Sequence, residues 1–303
     1  MQNASTYNFI FLYMIRDLSL GNLMIVSDLH GNAYDFRQIL KLYKQLKKSG
    51  KADYLVFLGD LIHAYPGKQK DESLEMVLQL LEMGANKPES DIICLLGNHE
   101  FVHIYHIALQ KGTLEFTTWF ENRIRQNREI IIRFFASMPL MIRTKGGVLI
   151  NHTGASDRYG VDEEFNLQWL KNYPTSVQFQ RHLENITQFN PQIGAEFMST
   201  KEGDYLWDVF MNGNERQYGE SYLQMVDNLL DLMSQDRLES PLKTLVSGHI
   251  GVNYGAENIG EHQLRICTST GCLRDLEKKL LLISTTQEYQ NSTELLKNCK
   301  ELF

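Results

Sequence analysis

Five short segments of the chain place metal-binding side chains directly after apolar, β-rich runs, and this recurrence constrains the fold more than any other feature. In each segment the apolar run breaks into a loop through Gly, Asp or Asn, and the polar side chain follows the last apolar residue. Strands of one sheet would deliver all these side chains to a common edge. The side chains are Asp28 and His30 in IVSDLHGN, Asp60 in LVFLGDLIH, Asn98 and His99 in IICLLGNHE, His152 in VLINHTG, and His249 in LVSGHIG.

The residue types at this edge indicate a divalent metal site. Carboxylates, imidazoles and an amide suit Mn, Fe or Zn, and no Cys stands among these polar side chains, which argues against a structural zinc site. Asp60 is the natural bridge because a carboxylate has two oxygens. Two cations roughly 3.5–4 Å apart can clamp the attacking and the leaving oxygen of an in-line displacement. The sequence therefore predicts phosphoester hydrolysis.

Taken together, the five segments resemble the motifs of the calcineurin-like metallophosphoesterases. A single such block would mean little, but five in the same order are highly specific. The matching blocks are DLHGN at Asp28–Asn32, GD at Gly59–Asp60, GNHE at Gly97–Glu100, NHTG at Asn151–Gly154, and SGHI at Ser247–Ile250.

The resemblance implies two metal ions that share Asp60, a hydroxide that bridges the metals and attacks phosphorus, and His99 as the general acid that protonates the leaving alkoxide. The implied first metal is held by Asp28, His30 and Asp60, and the second by Asp60, Asn98, His152 and His249.

Within the family, the chain is most similar to the Ser/Thr phosphoprotein phosphatases. Many distant branches end in GHxH, whereas Ile250 and Gly251 follow His249 here. The segments Asp204–Phe210 and Asn212–Glu220 also resemble two segments of the phosphoprotein phosphatase branch. That resemblance would make Arg216 a phosphate clamp, since a guanidinium binds two phosphate oxygens bidentately.

Two residues depart from that branch beside the second block. Where the branch has GDxxDRG, this chain reads GDLIHAYPG, so His63 replaces an Asp that orients the general acid and Ala64 replaces a phosphate-binding Arg. Arg158, which follows the NHTG block, could substitute for the missing Arg, and a surface role for Arg158 is equally open. A phosphoprotein and a small molecule both remain possible substrates.

We therefore predict a metal-dependent hydrolase that acts on a phosphomonoester. A phosphodiesterase or a dinucleoside-polyphosphate hydrolase is the alternative, because relatives with those activities carry a similar GDLVARG block. A catalytically weak scaffold that keeps the metals structurally is a third hypothesis, and the retention of every ligand residue and of His99 argues against it.

Other chemically notable residues have structural interpretations. His103 and His106 lie on the helix face of His99, and we favour packing or hydrogen bonding to the site over a second metal cluster, because the five segments already supply the ligands of two metals. Glu100 is interpreted as structural. The four cysteines are widely spread, which indicates no disulfide framework and is typical of a reducing cytoplasm.

Composition is ordinary for a soluble globular protein, with 43% hydrophobic and 22% charged residues in 303. The formal charge of −7 argues against nucleic acid as the main partner. The apolar stretch Phe9–Ile15 is too short to cross a bilayer, so we predict an extra strand or a packed arm there and no membrane association. The oligomeric state is not predicted.

The predicted fold class is α/β (α+β). Strands Leu23–Val26, Tyr54–Leu58 and Asp91–Leu96 alternate with helices Ala33–Lys48 and Ser73–Met83, which predicts a parallel βαβαβ unit. Together with the resemblance, this pattern predicts a four-layer sandwich of two mixed sheets flanked by helices, in a single domain over residues 1–303.

The rest of the chain is predicted in five pieces. The first two are a helical section over Gly112–Met138 and a hairpin of Leu140–Arg143 and Val148–Asn151 that delivers His152. A helical, aromatic-rich, cap-like insertion follows over 155–243. The last two are three strands of a second sheet, the last ones antiparallel, at Thr244–Ser247, Gln263–Thr268 and Lys279–Ile283, and a docked helix or tail over 285–303.

Overall fold

The computed structural model describes residues 14–65, 67, 69–158, 164–184, 186–237, 240–272 and 274–303. Most of the apolar stretch Phe9–Ile15 lies outside these residues, and its last residue begins the first strand. The strands are β1 (Ile15–Leu18), β2 (Asn22–Val26), β3 (Tyr54–Phe57), β4 (Ile92–Cys94), β5 (Gln110–Lys111), β6 (Leu114–Glu115), β7 (Met141–Thr144), β8 (Val148–Asn151), β9 (Thr244–Ser247), β10 (Ala256–Ile259), β11 (Gln263–Ile266), β12 (Lys279–Ser284) and β13 (Cys299–Glu301).

Two mixed sheets contain all of these strands except the short hairpin of β5 and β6. The six-stranded sheet has the order β1-β7-β8-β9-β11-β10, and the five-stranded sheet has the order β13-β12-β2-β3-β4. Strands β2, β3 and β4 are parallel and are joined by helices, as the βαβαβ pattern predicts.

The helices among the described residues cover the outer faces of the sheets and form most of the chain between β8 and β9. They are α1 (Ala33–Lys48), α2 (Ser73–Glu82), α3 (Asn98–Ile104), α4 (Thr117–Ile124), α5 (Arg128–Ala136), α6 (Leu167–Asn172), α7 (Val177–Glu184), α8 (Pro191–Met198), α9 (Lys201–Leu206), α10 (Glu215–Tyr218), α11 (Tyr222–Ser234) and α12 (Ser292–Leu296).

Strand residues alternate between two hydrophobic cores. Leu23 and Ile25 of β2 pack with Ile150 of β8 in the core between the sheets. Met24 of β2 and Leu149 of β8 face the other way and pack with the helices. Because successive strand side chains point to opposite faces, apolar residues at consecutive positions cover both faces. The predicted sandwich of two mixed sheets flanked by helices is therefore the observed fold.

One strand lies in a different sheet from the one predicted. Lys279–Ser284 (β12) pairs antiparallel with β2 in the five-stranded sheet, whereas β9 and β11 are parallel neighbours in the six-stranded sheet. The prediction that all three belong to one second sheet was wrong. Strand pattern gives the buried faces of β12 but not its partner, and both sheets of a sandwich accept the same apolar pattern.

Two other sections are more divided than their periodicity predicts. The section predicted as helical over Gly112–Met138 begins with the β5–β6 hairpin and then contains α4 and α5. The C-terminal section contains a docked helix, because α12 lies against β10 and β11, and also a strand that was not predicted, β13, which pairs with β12. Within the described residues, no helix has the length and apolar character needed to cross a membrane.

Candidate metal centre

The loops that carry the predicted ligands meet in one cleft, although they come from two sheets. The prediction that one sheet delivers all of them was therefore wrong, because facing sheets of a sandwich can bring their strand ends together as well as neighbouring strands can. The five-stranded sheet supplies Asp28 and His30 after β2, Asp60 after β3, and Asn98 and His99 at the start of α3, whereas the six-stranded sheet supplies His152 after β8 and His249 after β9.

Asp60 lies at the centre of this arrangement. Its Oδ2 is 3.6 Å from His30 Nε2 and 4.0 Å from His99 Nε2, whereas its Oδ1 is 3.4 Å from His152 Nε2. Two groups of potential ligand atoms result, Asp60 with His30 and His99, and Asp60 with His152 and His249, each within 4.8 Å. A carboxylate whose oxygens face different groups is suited to bridging two cations.

The Asn98 amide tests whether this site fits a metal. Its terminal atom that faces the centre lies 3.0 Å from His152 Nε2, 3.1 Å from each Asp60 oxygen and 3.2 Å from His249 Nδ1. With oxygen at that position, acceptor atoms converge with no donor between them, and a divalent cation would stabilise them. With nitrogen there, the amide donates to the same atoms. In both orientations the lone pairs of Asp60, His152 and His249 converge on one point, and such a set of oxygen and nitrogen atoms fits a first-row metal.

Backbone carbonyls orient two of the imidazoles toward the centre. His152 Nδ1 donates to the Leu58 carbonyl at 2.8 Å, and His30 Nδ1 donates to the Ile62 carbonyl at 3.3 Å. Each bond places the ring proton on Nδ1 and leaves the Nε2 lone pair directed at Asp60. Metal-binding histidines commonly have this second hydrogen bond, which fixes their tautomer.

Four of the predicted ligands have a left-handed backbone. The φ angles are 44° at Asp28, 46° at His30, 51° at Asp60 and 68° at His249. Such a conformation costs on the order of 1–3 kcal/mol at a residue other than glycine. The surrounding bonds maintain it, including His30 N–H to the Asp60 carbonyl at 2.9 Å. Strain concentrated at the ligands is typical of a functional site.

Glu100 has the structural role that its position indicates. It is fully buried, and its carboxylate accepts backbone N–H groups of Asp60, Leu61, Ile62 and Gly97 at 2.8–3.3 Å. Burial and the charge of Asp60 raise the pKa of Glu100 to about 8, and these hydrogen bonds oppose the rise. Glu100 thus holds the GD and GNHE loops together.

Asp28 and Arg265 hold the remaining loops. The Asp28 carboxylate accepts the His249 N–H at 3.0 Å, and Asp28 lines the cleft without belonging to either group of converging ligand atoms. Burial raises the pKa of Asp28, while His152 and Ser27 lower it. Arg265 is fully buried and donates to the carbonyls of Gly248 and Thr153, one beside each histidine ligand of the six-stranded sheet. We did not predict this role, because an arginine in an apolar strand has no motif.

His63, which replaces the aspartate of the phosphoprotein phosphatase branch, contacts the predicted general acid. His63 Nδ1 and His99 Nδ1 are 2.9 Å apart, and both rings are buried. Burial, together with His30 and His63, lowers the pKa of His99 well below its usual value. On its other side, His63 contacts His103, so His103 is hydrogen-bonded toward the site as we favoured. His106 instead accepts the Asn190 N–H.

Of the two candidate phosphate-binding arginines, only Arg216 lines the cleft. Arg216 donates to the Gly251 carbonyl at 3.2 Å at the cleft wall. Arg158 is outside the cleft lining, pairs with Asp204 at 2.6 Å and lies over the Tyr205 ring. The structure therefore places Arg216, and not Arg158, in the lining of the cleft that contains Asp60.

The cleft has a volume of about 650 Å³ and includes aromatic residues that we did not predict as site residues, namely Tyr65, Phe116 and Trp207. Burial raises the pKa of Tyr65 to about 12, and the charges of Asp60 and Asp28 add to the rise. Its hydroxyl is therefore protonated near neutral pH and can donate to a phosphate oxygen. Tyr65 lies in the GDLIHAYPG segment beside the second block, which was the available sequence signal.

We expect Gly59→Ala to destabilise the fold by about 2–5 kcal/mol, because two costs combine. Gly59 has φ of +99°, and an added Cβ would lie 2.6 Å from the Gly97 backbone nitrogen. Gly50 has φ of +67° with no atom within 4 Å of its Cβ position, so Gly50→Ala measures the cost of φ alone. Urea unfolding of both variants should show the larger loss at Gly59, and equal losses would contradict the close approach of the two loops.

Comparison with known protein families supports this geometry. A family model described as calcineurin-like phosphoesterase matches residues 21–253. No curated protein sequence matches the chain.

Several solved structures share the fold at low sequence identity. A point mutant of a cold-active protein tyrosine phosphatase has a TM-score of 0.60 at 14% identity, over 92% of this chain and 80% of that chain. The cold-active protein tyrosine phosphatase of a psychrophilic Shewanella species has a TM-score of 0.55 at 15% identity, over 90% and 77%. A protein serine/threonine phosphatase from Saccharomyces cerevisiae has a TM-score of 0.50 at 16% identity, over 91% and 78%.

Proposed function

The chain belongs to the calcineurin-like phosphoesterase family, and we propose that this phosphoester hydrolase acts on a phosphomonoester of a protein or a small molecule at a site for two divalent metal ions. The observation that carries the proposal is the position of Asp60, whose two oxygens face two separate groups of imidazoles. A single-metal site would not need a carboxylate that opens in both directions.

In this proposal the first metal is held by Asp28, His30 and Asp60, and the second by Asp60, Asn98, His152 and His249. When bound, such cations lower the pKa of water and polarise a phosphoryl oxygen. Their identity is open among Mn, Fe and Zn, because carboxylate, imidazole and amide ligands suit all three. His99 also lies within ligand distance of the first group, so its role needs a separate test.

The protein's own residues would orient the ester and transfer a proton. Arg216 would bind phosphate oxygens with its guanidinium, and Tyr65 would donate its hydroxyl proton to another oxygen. His99 would hold a proton on Nε2 and transfer it to the leaving alkoxide. Although burial lowers the pKa of His99, a dianionic phosphate nearby favours the protonated imidazolium and offsets that effect.

The cleft favours an ester whose organic group has an aromatic or apolar face. Phe116 and Trp207 line it with Tyr65, and aromatic rings contact such groups well in offset or edge-on arrangements. The structural neighbours include a protein tyrosine phosphatase and a protein serine/threonine phosphatase, which supports a phosphomonoester as substrate.

The test is a comparison of p-nitrophenyl phosphate with bis-p-nitrophenyl phosphate after chelation and reloading with Mn²⁺, Fe²⁺ or Zn²⁺. We expect metal-dependent hydrolysis with a higher kcat/KM for the monoester. A higher kcat/KM for the diester would replace this proposal with the phosphodiesterase alternative. Stoichiometric metal binding without hydrolysis of either ester would support the scaffold hypothesis. Panels of phosphopeptides, nucleotides and phosphorylated metabolites then separate the substrate classes.

A further inference from the structure

Three imidazoles and a carboxylate form a continuous buried hydrogen-bonded chain behind the proposed general acid. His99 Nδ1 is 2.9 Å from His63 Nδ1, His63 Nε2 is 2.9 Å from His103 Nε2, and His103 Nδ1 is 2.7 Å from Glu121 Oε1. Every ring in this imidazole chain is at most 6% exposed, and Glu121 is 7% exposed. The residues come from the loop after β3 and from helices α3 and α4.

The carboxylate end fixes the direction of the first hydrogen bond, the one from His103. Glu121 accepts from Arg128 Nε at 2.7 Å and from Arg128 Nη2 at 3.2 Å, so it is paired as an anion. Burial alone would raise the pKa of Glu121, but the bonds from His103 and Arg128 lower it below its usual value. An ionised carboxylate can only accept, and therefore His103 Nδ1 must carry the proton in this bond.

The donor and acceptor atoms of the other imidazoles follow in turn from that of His103. Burial lowers the pKa of His103, although Glu121 raises it, so this ring is neutral and its Nε2 accepts. His63 must then donate from Nε2, which leaves its own Nδ1 as an acceptor. His99 must in turn donate from Nδ1. With His103 neutral, the reverse direction would place two acceptors 2.7 Å apart at Glu121 and is excluded.

We propose that Glu121 and His103 are positioning residues that act through His63 to fix the Nδ1–H tautomer and the ring orientation of His99, so that His99 Nε2 is the atom that exchanges a proton in the cleft. This inference rests on the proposed function for its catalytic meaning. It also accounts for the absence of the aspartate that the phosphoprotein phosphatase branch has at position 63, because here the carboxylate lies two imidazoles further from His99.

The packing around the imidazole chain indicates that its residues orient His99 and do not merely fill a core. His63 stacks on Phe116 with the ring planes 25° apart and meets Phe120 edge-on at 81°. The backbone N–H of His63 also donates to Ser73 Oγ at 3.0 Å. Hydrophobic side chains would fill such an apolar core at a lower free-energy cost than buried imidazoles do. The buried hydrogen bonds therefore indicate a role beyond filling the core.

The first test measures tautomers and does not need activity. Glu121→Gln keeps the shape of the side chain, but its amide oxygen is needed by Arg128 Nε, so its amide nitrogen must face His103 Nδ1 and donate. The direction of the whole chain should then invert. Long-range ¹H–¹⁵N spectra of histidine-labelled protein, metal-free and loaded with Zn²⁺, should show His99 as the Nδ1–H tautomer in the natural protein and as Nε2–H in Glu121→Gln.

Two substitutions of His103 keep the inference testable if Glu121→Gln fails to fold. His103→Gln can donate from its amide nitrogen to Glu121 and accept from His63 with its amide oxygen, so it should preserve the Nδ1–H tautomer of His99. His103→Phe breaks the chain next to Phe120 and should leave a mixture of tautomers. An unchanged His99 tautomer in Glu121→Gln and in His103→Phe would overturn the inference.

The second test is the dependence of rate on the leaving group. With the chain inverted, neutral His99 would hold its Nε2 proton too tightly to act as an acid. We expect Glu121→Gln to lower kcat by about 10- to 100-fold for an alkyl phosphate, with less effect on KM and a smaller loss for p-nitrophenyl phosphate, whose leaving group needs no proton. Equal losses for both esters would also overturn the inference.

Glu129→Gln is the matched control, because Glu129 is an exposed glutamate that pairs with Arg133 on α5. It should leave the tautomer and the rate unchanged. The failure of the proposed function can be told apart from the failure of this inference. If the natural protein has the predicted tautomers but no phosphomonoesterase activity, only the proposed function is refuted. If the natural protein is active but its His99 tautomer is unchanged by Glu121→Gln and His103→Phe, only the role of the imidazole chain is refuted.

Discussion

Asp60→Asn should lower kcat/KM for a phosphomonoester by about 10³-fold or more, because the substitution removes one of the two oxygens that face the two groups of imidazoles. The amide nitrogen that replaces it cannot bind a cation. Depending on which oxygen is lost, either the His30 side or the His152 side of the centre loses its shared ligand. We therefore also expect bound metal to fall from two ions per chain to one or fewer.

Metal content from elemental analysis and steady-state kinetics would check this prediction on the same preparation. Asp53→Asn is the matched control, because Asp53 precedes the strand that Asp60 follows and its carboxylate accepts the Asn22 N–H at the far end of that strand. It should retain both metals and the natural rate. Reduced metal content with unchanged turnover in Asp60→Asn would refute the bridging role.

His99→Ala should lower kcat by about 10²–10⁴-fold for an alkyl phosphate, the usual contribution of a general acid. The loss should be much smaller for p-nitrophenyl phosphate. Two metals should remain bound, because the assigned ligands are unchanged. His262→Ala removes a histidine that pairs with Asp227 away from the cleft, and it should change neither rate nor metal content.

This variant separates the two roles that the distances allow for His99. His99 Nε2 lies 4.0 Å from Asp60 Oδ2, within the group that could hold a metal. If His99 were a ligand, His99→Ala would lose one metal and would affect both esters equally. If His99 is the general acid, both metals stay bound in His99→Ala, and kcat falls more for the alkyl phosphate than for p-nitrophenyl phosphate.

Much of the fold was readable from the chain because its local patterns are strong. Helix α1 has its predicted bounds, and Asn32 caps it by accepting the Asp35 N–H. Strand β8 also has its predicted bounds and leads directly to His152. Such elements depend on periodicity and caps over a few residues.

Most of the failures concern partners, and one concerns an element. β12 has the apolar pattern of a buried strand, and only the rest of the sandwich decides that it pairs with β2. The short β5–β6 hairpin before α4 has too little pattern to interrupt a predicted helix. Arg158 is near His152 in sequence, but its guanidinium turns to Asp204. None of these choices depends on nearby sequence alone.

The sequence by itself determined the chemistry of the site, because each of the five blocks carries its ligand type and its strand-to-loop break within a few residues. Only the tertiary structure decided how the blocks meet, with two sheets contributing instead of one, and what lies behind His99. His63 and Glu121 are far apart in sequence, and neither has a motif that links them. The hydrogen-bonded chain exists because α3 and α4 pack against the loop after β3. The directions of its bonds follow from a buried carboxylate that can only accept and from buried imidazoles whose pKa is lowered.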